Sequence, residues 1–234
     1  MTRSLVAEIR DRQDAGVFPV IGEVKARSPK EGDLLAGRDP VTYALLMASA
    51  PVAGISVVTE SEHFGGSMDV LRAVVAAVDL PVLAKDFVTT PVQIDALADA
   101  GAAALLLIAA HLEPETLAVL IDHARTRGIE TLVEAHTAAE TTTVAGLPAD
   151  LLGINNRDIT VLEIDDTDVG LTAELAGRFQ GGRPIISESS IASAVDVRRA
   201  AAAGADAVLV GTAALRAADP VAFLRGLAGV GWPA

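Results

Sequence analysis

Apolar and polar positions along the chain form two alternating patterns. Short aliphatic and β-branched runs recur through the sequence, and Ala- and Leu-rich stretches with helical periodicity fill most of the intervals between them. The runs predict eight strands: Val20–Lys25, Ile55–Thr59, Val82–Lys85, Ala104–Ile108, Thr131–Glu134, Leu151–Asn155, Pro184–Glu188 and Ala207–Gly211. Because the runs are apolar almost throughout, they are typical of parallel strands covered on both faces.

Helix-boundary signals lie between the predicted strands. Thr90 and Pro91 are typical of an N-cap followed by a first-turn proline, and Gly101 stands just past the end of that segment. Thr137 and Glu140 have the spacing of a capping box. Further signals are the helix-terminating glycines Gly128 and Gly204 and the helix start at Asp219-Pro220.

The repeat of strand and helix predicts the fold class, which is α/β. Eight such units favour a closed (β/α)8 TIM barrel over a doubly wound sheet, because no Gly-rich dinucleotide fingerprint follows the first strand. The composition does not shift along the chain, and no linker or low-complexity tract interrupts it. We therefore expect residues 1–234 to form a single barrel domain.

Composition excludes several classes of protein. Hydrophobic residues make up 51% of the chain and charged residues 21%, which supplies a packed core and excludes a disordered or coiled-coil chain. The absence of cysteine excludes a disulfide framework, a thiolate zinc site and a cysteine nucleophile. A net charge of −13 with 3% aromatic residues argues against sequence-independent nucleic-acid binding.

The sequence also predicts where in the cell the protein is located. No apolar run reaches the roughly 18 residues that span a bilayer. The opening Met1–Ser4 leads into an amphipathic stretch containing acidic residues, unlike a signal peptide. We expect a cytoplasmic protein without a membrane partner.

Polar residues gather at the carboxyl ends of the predicted strands, where the chemistry of such barrels lies. They are Glu23 and Lys25, Thr59 and Glu60, Lys85 and Asp86, Glu134 and His136, Asn155 to Arg157, Glu188 and Ser189, and Gly211 and Thr212. Residues two apart point to the same side of a strand, as Glu23 and Lys25 do, and likewise Glu134 and His136. Charges converging on one rim without partners or function would be costly.

Lys85, like Lys25, lies in an apolar strand, and it is the only cation of its own strand, Val82–Lys85. Burial can bring the pKa of a lysine towards neutrality, so Lys85 is a candidate acid, base or Schiff-base residue. Glu134 is the complementary carboxylate, and such a pair suits proton transfer at two stages of a reaction. The alternative is a structural ion pair between Lys85 and Glu23 or Glu134.

The seventh and eighth turns predict an anion site. Ser189-Ser190 and Gly211-Thr212 place small residues before helices, where barrels of this kind bind phosphate with backbone N–H groups. Lys25 and Arg157 are the candidate cations on the same rim, which an acidic protein needs for an anionic substrate. The alternative is that these turns are ordinary helix caps.

The remaining chemistry-bearing residues give weaker signals. The four histidines, His63, His111, His123 and His136, have no metal-ligand spacing. A hydrolytic triad of Ser189 and His136 with an aspartate lacks the nucleophile-elbow pattern. Two phenylalanines at strand ends, Phe64 and Phe87, fill the core by default and could also face a planar ligand.

In these residues the sequence resembles the indole-3-glycerol phosphate synthase family, over about residues 5–225. The matching runs are Gly22–Gly32, Ser56–Glu60, Phe64–Ser67, Leu80–Phe87, Leu132–His136, Gly153–Asp158 and Ser187–Ser189. The resemblance implies closure of the indole ring of 1-(2-carboxyphenylamino)-1-deoxyribulose 5-phosphate with loss of carbon dioxide and water. It implies no metal and no organic cofactor.

The resemblance also implies roles for individual residues. Lys85 would be the general acid at the ribulose carbonyl and Glu134 would serve the later dehydration, while the order in which Lys85, Lys25 and Glu134 act stays open. The implied catalytic set is Lys85, Glu134, Lys25, Glu23 and Asn155. The implied substrate-binding set is Ser28, Phe64, Phe87, Arg157, Glu188, Ser189, Ser190, Gly211 and Thr212.

Two turns depart from the family pattern. The family usually has Glu-Ser-Gly after the seventh strand, whereas this chain has Glu188-Ser189-Ser190. Ser190 therefore places a Cβ where the backbone approaches the phosphate. The eighth turn keeps Gly211 but varies the residues after it.

The N-terminal region departs as well. Glu23 comes early in the chain, so we expect a shortened form of the family's N-terminal helical extension, which helps to cover the pocket. Residues 4–15 would form only its last helix. An open pocket is expected, unless a partner chain or the loop Arg27–Arg38 covers it.

Three hypotheses about the function remain open at this point. The first is an active lyase of tryptophan biosynthesis or of a specialised indole pathway. The second is a catalytically reduced, phosphate-binding barrel that acts as a partner or regulatory module. The third is a Schiff-base aldolase that uses Lys85. The joint presence of Lys25, Lys85, Glu134 and Asn155 favours the lyase, because a binding module needs no acid–base pair.

Overall fold

Eight parallel strands close into a barrel in the computed structural model, which describes residues 3–162, 168–179 and 181–233. They are β1 (Val20–Val24), β2 (Gly54–Val58), β3 (Val82–Lys85), β4 (Ala104–Ile108), β5 (Glu130–Ala135), β6 (Leu151–Asn155), β7 (Ile185–Glu188) and β8 (Ala207–Val210). Each strand pairs with the next along the chain, and β8 pairs with β1. The predicted strands and the predicted barrel are confirmed, and no strand end differs from its prediction by more than one residue.

Helices follow the strands on the outside of the barrel. They are α1 (Leu5–Asp14), α2 (Pro40–Ala48), α3 (Met68–Ala77), α4 (Pro91–Asp99), α5 (Pro114–Thr126), α6 (Ala138–Ala145), α7 (Gly170–Leu175), α8 (Ala194–Ala202), α9 (Thr212–Arg216) and α10 (Pro220–Ala228). Short 3₁₀ turns cover Ala109–His111, Ile159–Val161 and Ala176–Arg178. In the part of the chain that the structure describes, no helix has the length and apolar character needed to cross a bilayer.

The capping signals are confirmed with one change. Thr90 caps α4 together with Gln93, and Gly101 follows that helix with a φ of 84°. The Thr137 side chain accepts a hydrogen bond from the backbone N–H of Glu140, as a capping box requires. The Glu140 carboxylate, however, accepts from the N–H of His136 at 2.8 Å, so it fixes the residue before the N-cap.

The interior of the barrel is built in layers, because every second side chain of a strand points inwards and alternate strands fill each layer. One apolar layer comes from β1, β3, β5 and β7: Ile21, Leu83, Leu132 and Ile186. Two residues further along the same strands lies a charged layer: Glu23, Lys85, Glu134 and Glu188. The other four strands fill the level between them: Ser56, Leu106, Gly153 and Leu209. This charged layer therefore lies at the carboxyl end of the barrel.

Helix α1 closes the opposite end. Backbone N–H groups of Leu5 and Val6 donate to the Glu130 carboxylate at 2.8 and 3.2 Å, and Glu130 is the first residue of β5. Leu5 is fully buried and lies against Gly54, the first residue of β2. As expected, residues 4–15 form a single helix, and it packs at the amino ends of the strands, opposite the charged layer.

Candidate active site

Lys85 lies at the centre of the charged layer. Its Nζ is 2.8 Å from Glu188 Oε2. The same nitrogen is 3.8 Å from Glu23 Oε2 and 3.9 Å from Glu134 Oε2. Only 12% of the lysine side chain is exposed, and the carboxylates are buried. This geometry places a potential proton donor, the Lys85 side chain, within 4 Å of three carboxylates.

Glu23 connects the two lysines of the site. Its Oε1 lies 3.2 Å from Lys25 Nζ, while its Oε2 faces Lys85. The ammonium of Lys25 also lies 5.7 Å from the centroid of the Phe64 ring. Gly211 permits this arrangement, because a Cβ at that position would overlap the Glu23 carboxylate.

Two cavities meet at the charged layer. The first is lined by charged and apolar groups together, including Glu23, Lys25, Lys85, Glu134, Phe64 and Phe87. The two phenylalanine rings pack edge to face with centroids 6.4 Å apart, and His111 packs against Phe87 at 5.2 Å. Aromatic walls beside a proton donor suit a planar, reactive ring.

The second cavity shares Glu23, Lys25 and Lys85 with the first. Its outer wall is formed by the turns after β6, β7 and β8 and includes Arg157, Ser189, Ser190, Gly211 and Thr212. Cations and the start of α9 converge there, which suits a phosphate group. A molecule with a ring at one end and a phosphate at the other could therefore contact Lys85 between the two.

The turn after β7 has an unusual backbone. Ser189 has a φ of 62° and Ser190 a φ of 59°, in the left-handed region that favours glycine. Such conformations cost about 1–3 kcal/mol each and persist where the surroundings hold them. Serine at position 190 thus keeps the backbone conformation that a glycine would adopt freely.

Three residues expected in the site lie behind the cavity walls. Among the described residues, neither cavity is lined by Ser28, Asn155 or Glu188. The Ser28 hydroxyl accepts from the N–H of Glu31 at 3.3 Å, within a short antiparallel pairing after β1. Asn155 Oδ1 accepts from the N–H of Arg157 at 3.0 Å. Glu188 contacts Lys85 instead, and Asn155 contacts the backbone of Arg157.

The connection between β1 and α2 is attached to its neighbours on two sides. On one side the Arg27 guanidinium donates to the carbonyl oxygens of Glu62 and, at 3.1 Å, His63. On the other side Arg38 donates to the carbonyl of Leu215 in α9 at 2.7 Å. These contacts tie the connection to two segments that contribute residues to the cavity walls, the connection after β2 and helix α9.

Tyr43 strengthens the attachment to α9. Its hydroxyl donates to the carbonyl of Ala214 at 2.7 Å, and the Arg38 guanidinium lies 4.9 Å from its ring centroid. Burial raises the pKa of Tyr43 to about 12, so the phenol stays a neutral donor at ordinary pH.

The connection after β2 is organised by Glu60. Its carboxylate accepts from the backbone N–H groups of Glu62, His63 and Phe64 at 2.8 to 2.9 Å. Burial by itself raises the pKa of Glu60, but these hydrogen bonds together outweigh it and hold the pKa below its ordinary value. Glu60, Glu62 and His63 also bring their ligand atoms within 4.8 Å of one another, which the histidine spacing did not predict. The hydrogen bonds from backbone N–H groups to Glu60 close a turn, and closing this turn brings the three side chains together.

Comparison with known proteins identifies the family. The sequence profile described as indole-3-glycerol phosphate synthase matches residues 1–227. The chain belongs to the indole-3-glycerol phosphate synthase family. The resemblance found in the strand-end motifs is thereby confirmed.

Individual relatives agree with this assignment. An indole-3-glycerol phosphate synthase of Pyrococcus furiosus is 43% identical over 207 residues, which cover 88% of this chain and 90% of the relative. The "indole-3-glycerol phosphate synthase 2" of Streptomyces coelicolor is 43% identical over 210 residues, covering 90% of this chain and 80% of that protein.

Solved structures outside the family share the barrel. A 3-hexulose-6-phosphate synthase from Salmonella typhimurium superposes with a TM-score of 0.68 at 19% identity, covering 91% of this chain and 97% of the other. A thiamine phosphate pyrophosphorylase from Pyrococcus furiosus gives the same TM-score at 13% identity, covering 94% and 96%. At these identities the likeness extends to the fold alone.

Several residues at the indole-3-glycerol phosphate synthase site were missed from the sequence. The first cavity is also lined by apolar side chains: Val58, Leu106, Ile108 and Ile159. Leu106 and Ile108 share the inward face of β4 with Ala104. Their spacing of two residues was the signal from which their inward orientation could have been predicted. Ile159 lies in the 3₁₀ turn after β6, where no pattern predicts which way a side chain points.

Proposed function

We propose that this protein is an active indole-3-glycerol phosphate synthase, a carbon–carbon lyase of tryptophan biosynthesis. Its substrate would be 1-(2-carboxyphenylamino)-1-deoxyribulose 5-phosphate. The observation that carries the proposal is the position of Lys85, whose ammonium borders an aromatic-lined cavity and a cation-lined cavity at once. Family membership of the chain supports the same reaction.

In the proposed reaction the ring carbon that bears the carboxylate attacks the ribulose carbonyl carbon. Lys85 donates a proton to the carbonyl oxygen as the new carbon–carbon bond forms. The carboxylate then leaves as carbon dioxide and returns its bonding electrons to the ring. The new hydroxyl leaves as water after protonation, and a proton is lost from the neighbouring carbon to complete the indole.

Glu134 is proposed to serve the proton transfers of dehydration. Its Oε2 lies 3.9 Å from Lys85 Nζ. In this proposal one of the two groups donates a proton to the substrate and the other accepts one from it. Glu23 holds both lysines in place, and Lys25 is available as a second donor. The order in which Lys85, Lys25 and Glu134 act during dehydration is a question for kinetics.

Binding is divided between the two cavities in this proposal. Phe64 and Phe87 flank the anthranilate ring in the first cavity. The phosphate occupies the second, held by its outer wall of Arg157, Ser189, Ser190, Gly211 and Thr212. Fixing both ends of a flexible molecule brings the ring carbon and the carbonyl together, which lowers the entropic barrier to closure.

The binding-module alternative is not favoured. A module that only binds phosphate has no use for a largely buried lysine among three buried carboxylates, a cluster that is costly to assemble. A cytoplasmic location, the lack of a cofactor and the lack of a nucleic-acid partner remain expectations from the sequence.

The test is to mix the purified protein with the ribulose phosphate substrate and follow indole fluorescence, with carbon dioxide release as a second readout. We expect both signals at equal yield. Fluorescence without carbon dioxide, or neither signal, would contradict the proposal. Borohydride added during turnover tests the aldolase hypothesis, because a Schiff base would be trapped as a covalent adduct, and peptide mapping would show whether the adduct is at Lys85.

A further inference from the structure

Asn156 follows the site residue Asn155 but faces away from both cavities, into the layer between the barrel and α7. Its Nδ2 donates to the carbonyl of Glu188 at 2.8 Å, to that of Ser189 at 3.3 Å and to the Ser187 hydroxyl at 3.1 Å. Its backbone N–H donates to the Glu188 carbonyl as well, at 3.0 Å. One residue thus binds the end of β7 and the first residue of the strained turn that follows it.

The amide of Asn156 is fixed from its other side by Thr172. Asn156 Oδ1 accepts from the Thr172 N–H at 3.1 Å and lies 3.0 Å from the Thr172 hydroxyl. A backbone N–H can only donate and a backbone carbonyl can only accept, so the orientation of the amide is determined by its partners. Asn156, Thr172 and Ser187 are all buried, where a fully bonded polar network is rigid.

The contact with the Ser189 carbonyl orients a whole peptide group. In a trans peptide the C=O and the following N–H point in opposite directions. Because the Ser189 carbonyl points at Asn156, the N–H of Ser190 points away from Asn156, and Ser190 is a residue that lines the second cavity. Ser189 and Ser190 both have positive φ, so this peptide is held in a conformation that serine does not favour.

We propose that Asn156 is a positioning residue for the phosphate site: it holds the Ser189–Ser190 peptide so that the Ser190 N–H faces the phosphate. The inference rests on the proposed phosphate-binding role of the second cavity. The same bonds also fix the backbone of Glu188, whose carboxylate contacts Lys85 at 2.8 Å. One buried amide therefore couples the anion site to the charged layer.

The test compares Asn156→Ala with Thr172→Val as a matched control. Thr172→Val removes a hydroxyl from the same buried network but leaves the Asn156 amide to donate to the Glu188 and Ser189 carbonyls. Kd for inorganic phosphate is measured by calorimetry, which does not require turnover, and KM, kcat and Tm are measured on the same proteins. We expect both variants to lower Tm, and only Asn156→Ala to raise the phosphate Kd and KM by about 10-fold, with a smaller loss in kcat.

A rescue variant separates positioning from general damage. Glycine adopts positive φ without strain, so Ser190→Gly lets the turn keep its conformation with less restraint. We expect Asn156→Ala to raise the phosphate Kd less in the Ser190→Gly background than in the wild-type background. If Asn156→Ala does not fold, the same comparison is made with Asn156→Ser, alone and in the Ser190→Gly background.

Equal changes of Kd in the Asn156 and Thr172 variants, or a loss of Tm with an unchanged Kd, would overturn the proposal. Failure of the Asn156 proposal can be distinguished from failure of the proposed function. Phosphate binding by the wild type together with no indole product would reject the enzyme and leave the positioning role standing. Product formation without phosphate binding would reject the second cavity as the phosphate site, and the role of Asn156 with it.

Discussion

Single side chains at the carboxyl end of the barrel are positioned by charge. Glu23 lies between two ammonium groups, and Lys85 lies between three carboxylates. The carboxylates and Lys25 are buried and only 12% of the Lys85 side chain is exposed, so removing one partner leaves the others desolvated and uncompensated. Substitutions here therefore affect chemistry and stability together, and a test of function needs a binding measurement beside the rate.

Lys85→Met removes the proposed proton donor and keeps most of the volume of the side chain. We expect kcat to fall by about 10²–10⁴-fold, the usual contribution of general acid–base catalysis, while the Kd for inorganic phosphate changes much less. Steady-state kinetics and calorimetry give the two values. Arg72→Met, which removes an exposed cation of α3, is the control and should alter neither. A variant with normal kcat and a raised KM would show that Lys85 binds substrate only.

Gly211→Ala tests the close approach of the backbone to Glu23. The added Cβ would overlap the Glu23 carboxylate, so the contact between Glu23 and Lys25 is expected to break. We predict a loss of at least about 10-fold in kcat/KM and of about 1–3 kcal/mol in the free energy of unfolding, the usual cost of overpacking.

Gly226→Ala is the matched control for Gly211→Ala. Gly226 lies in α10 with open space where its Cβ would stand, so alanine there should stabilise the helix by about 0.5–1 kcal/mol and leave the kinetics unchanged. Denaturant unfolding of both variants measures the two changes in the free energy of unfolding. Unchanged kcat/KM in Gly211→Ala would mean that Glu23 can move without consequence.

At the level of elements, each connection at this end of the barrel is held by its own set of hydrogen bonds. Glu60 closes the connection after β2 by accepting three backbone N–H groups. Arg27 reaches the same connection from the β1 side, through the carbonyl of His63. These bonds fix the backbone around Phe64, whose ring lines the first cavity.

Glu60→Gln predicts a pH dependence of stability. The pKa of Glu60 is lowered in the folded protein, so its contribution to stability is complete above its ordinary value of 4.5 and is lost as the pH falls through the lower folded pKa. Glutamine has no such titration. We expect the variant to be less stable than the wild type at pH 7, by about 1–3 kcal/mol, and the difference to shrink below pH 4.5.

Urea unfolding at several pH values measures this difference. The change in midpoint is compared at constant slope, so that a change in the unfolded state is recognised. A difference that is constant from pH 7 to pH 3 would show that the carboxylate charge of Glu60 does not stabilise the turn.

At the level of the whole molecule, the barrel separates stability from chemistry along its axis. The charged layer and both cavities lie at the carboxyl ends of the strands, whereas α1 closes the amino ends. Apolar layers of the interior lie between them. A change at one end should therefore reach the other only through the stability of the barrel.

Leu5→Ala tests this separation. Leu5 is fully buried beneath the barrel, and truncating such a leucine costs about 2–5 kcal/mol of unfolding free energy. We expect that loss together with KM and kcat close to wild type at temperatures where the variant is folded. Val92→Ala, at a valine that is 74% exposed in α4, is the control and should change stability by less than about 0.5 kcal/mol. A raised KM in Leu5→Ala at full folding would show that α1 acts on the site.

Local pattern was sufficient for the elements and the family. The eight strands, the caps at Thr90 and Asp219 and the glycines after helices were all predicted, because each depends on residues close together in the chain. The strand-end motifs also identified the family, since they carry chemistry in short runs. These motifs contain Lys85, Glu134 and Arg157, which the structure brings to the two cavities.

The tertiary structure decided which of these residues touch. Glu188 was expected to line the pocket, yet it is the nearest partner of Lys85, 103 positions away in the chain. The buried role of Asn156 and the placement of α1 beneath the barrel were likewise not predicted. Such contacts depend on the register and closure of eight strands, which set distances between residues that no local pattern relates. The sequence alone therefore determined the elements and the chemical groups of the site, and closure of the barrel determined their partners.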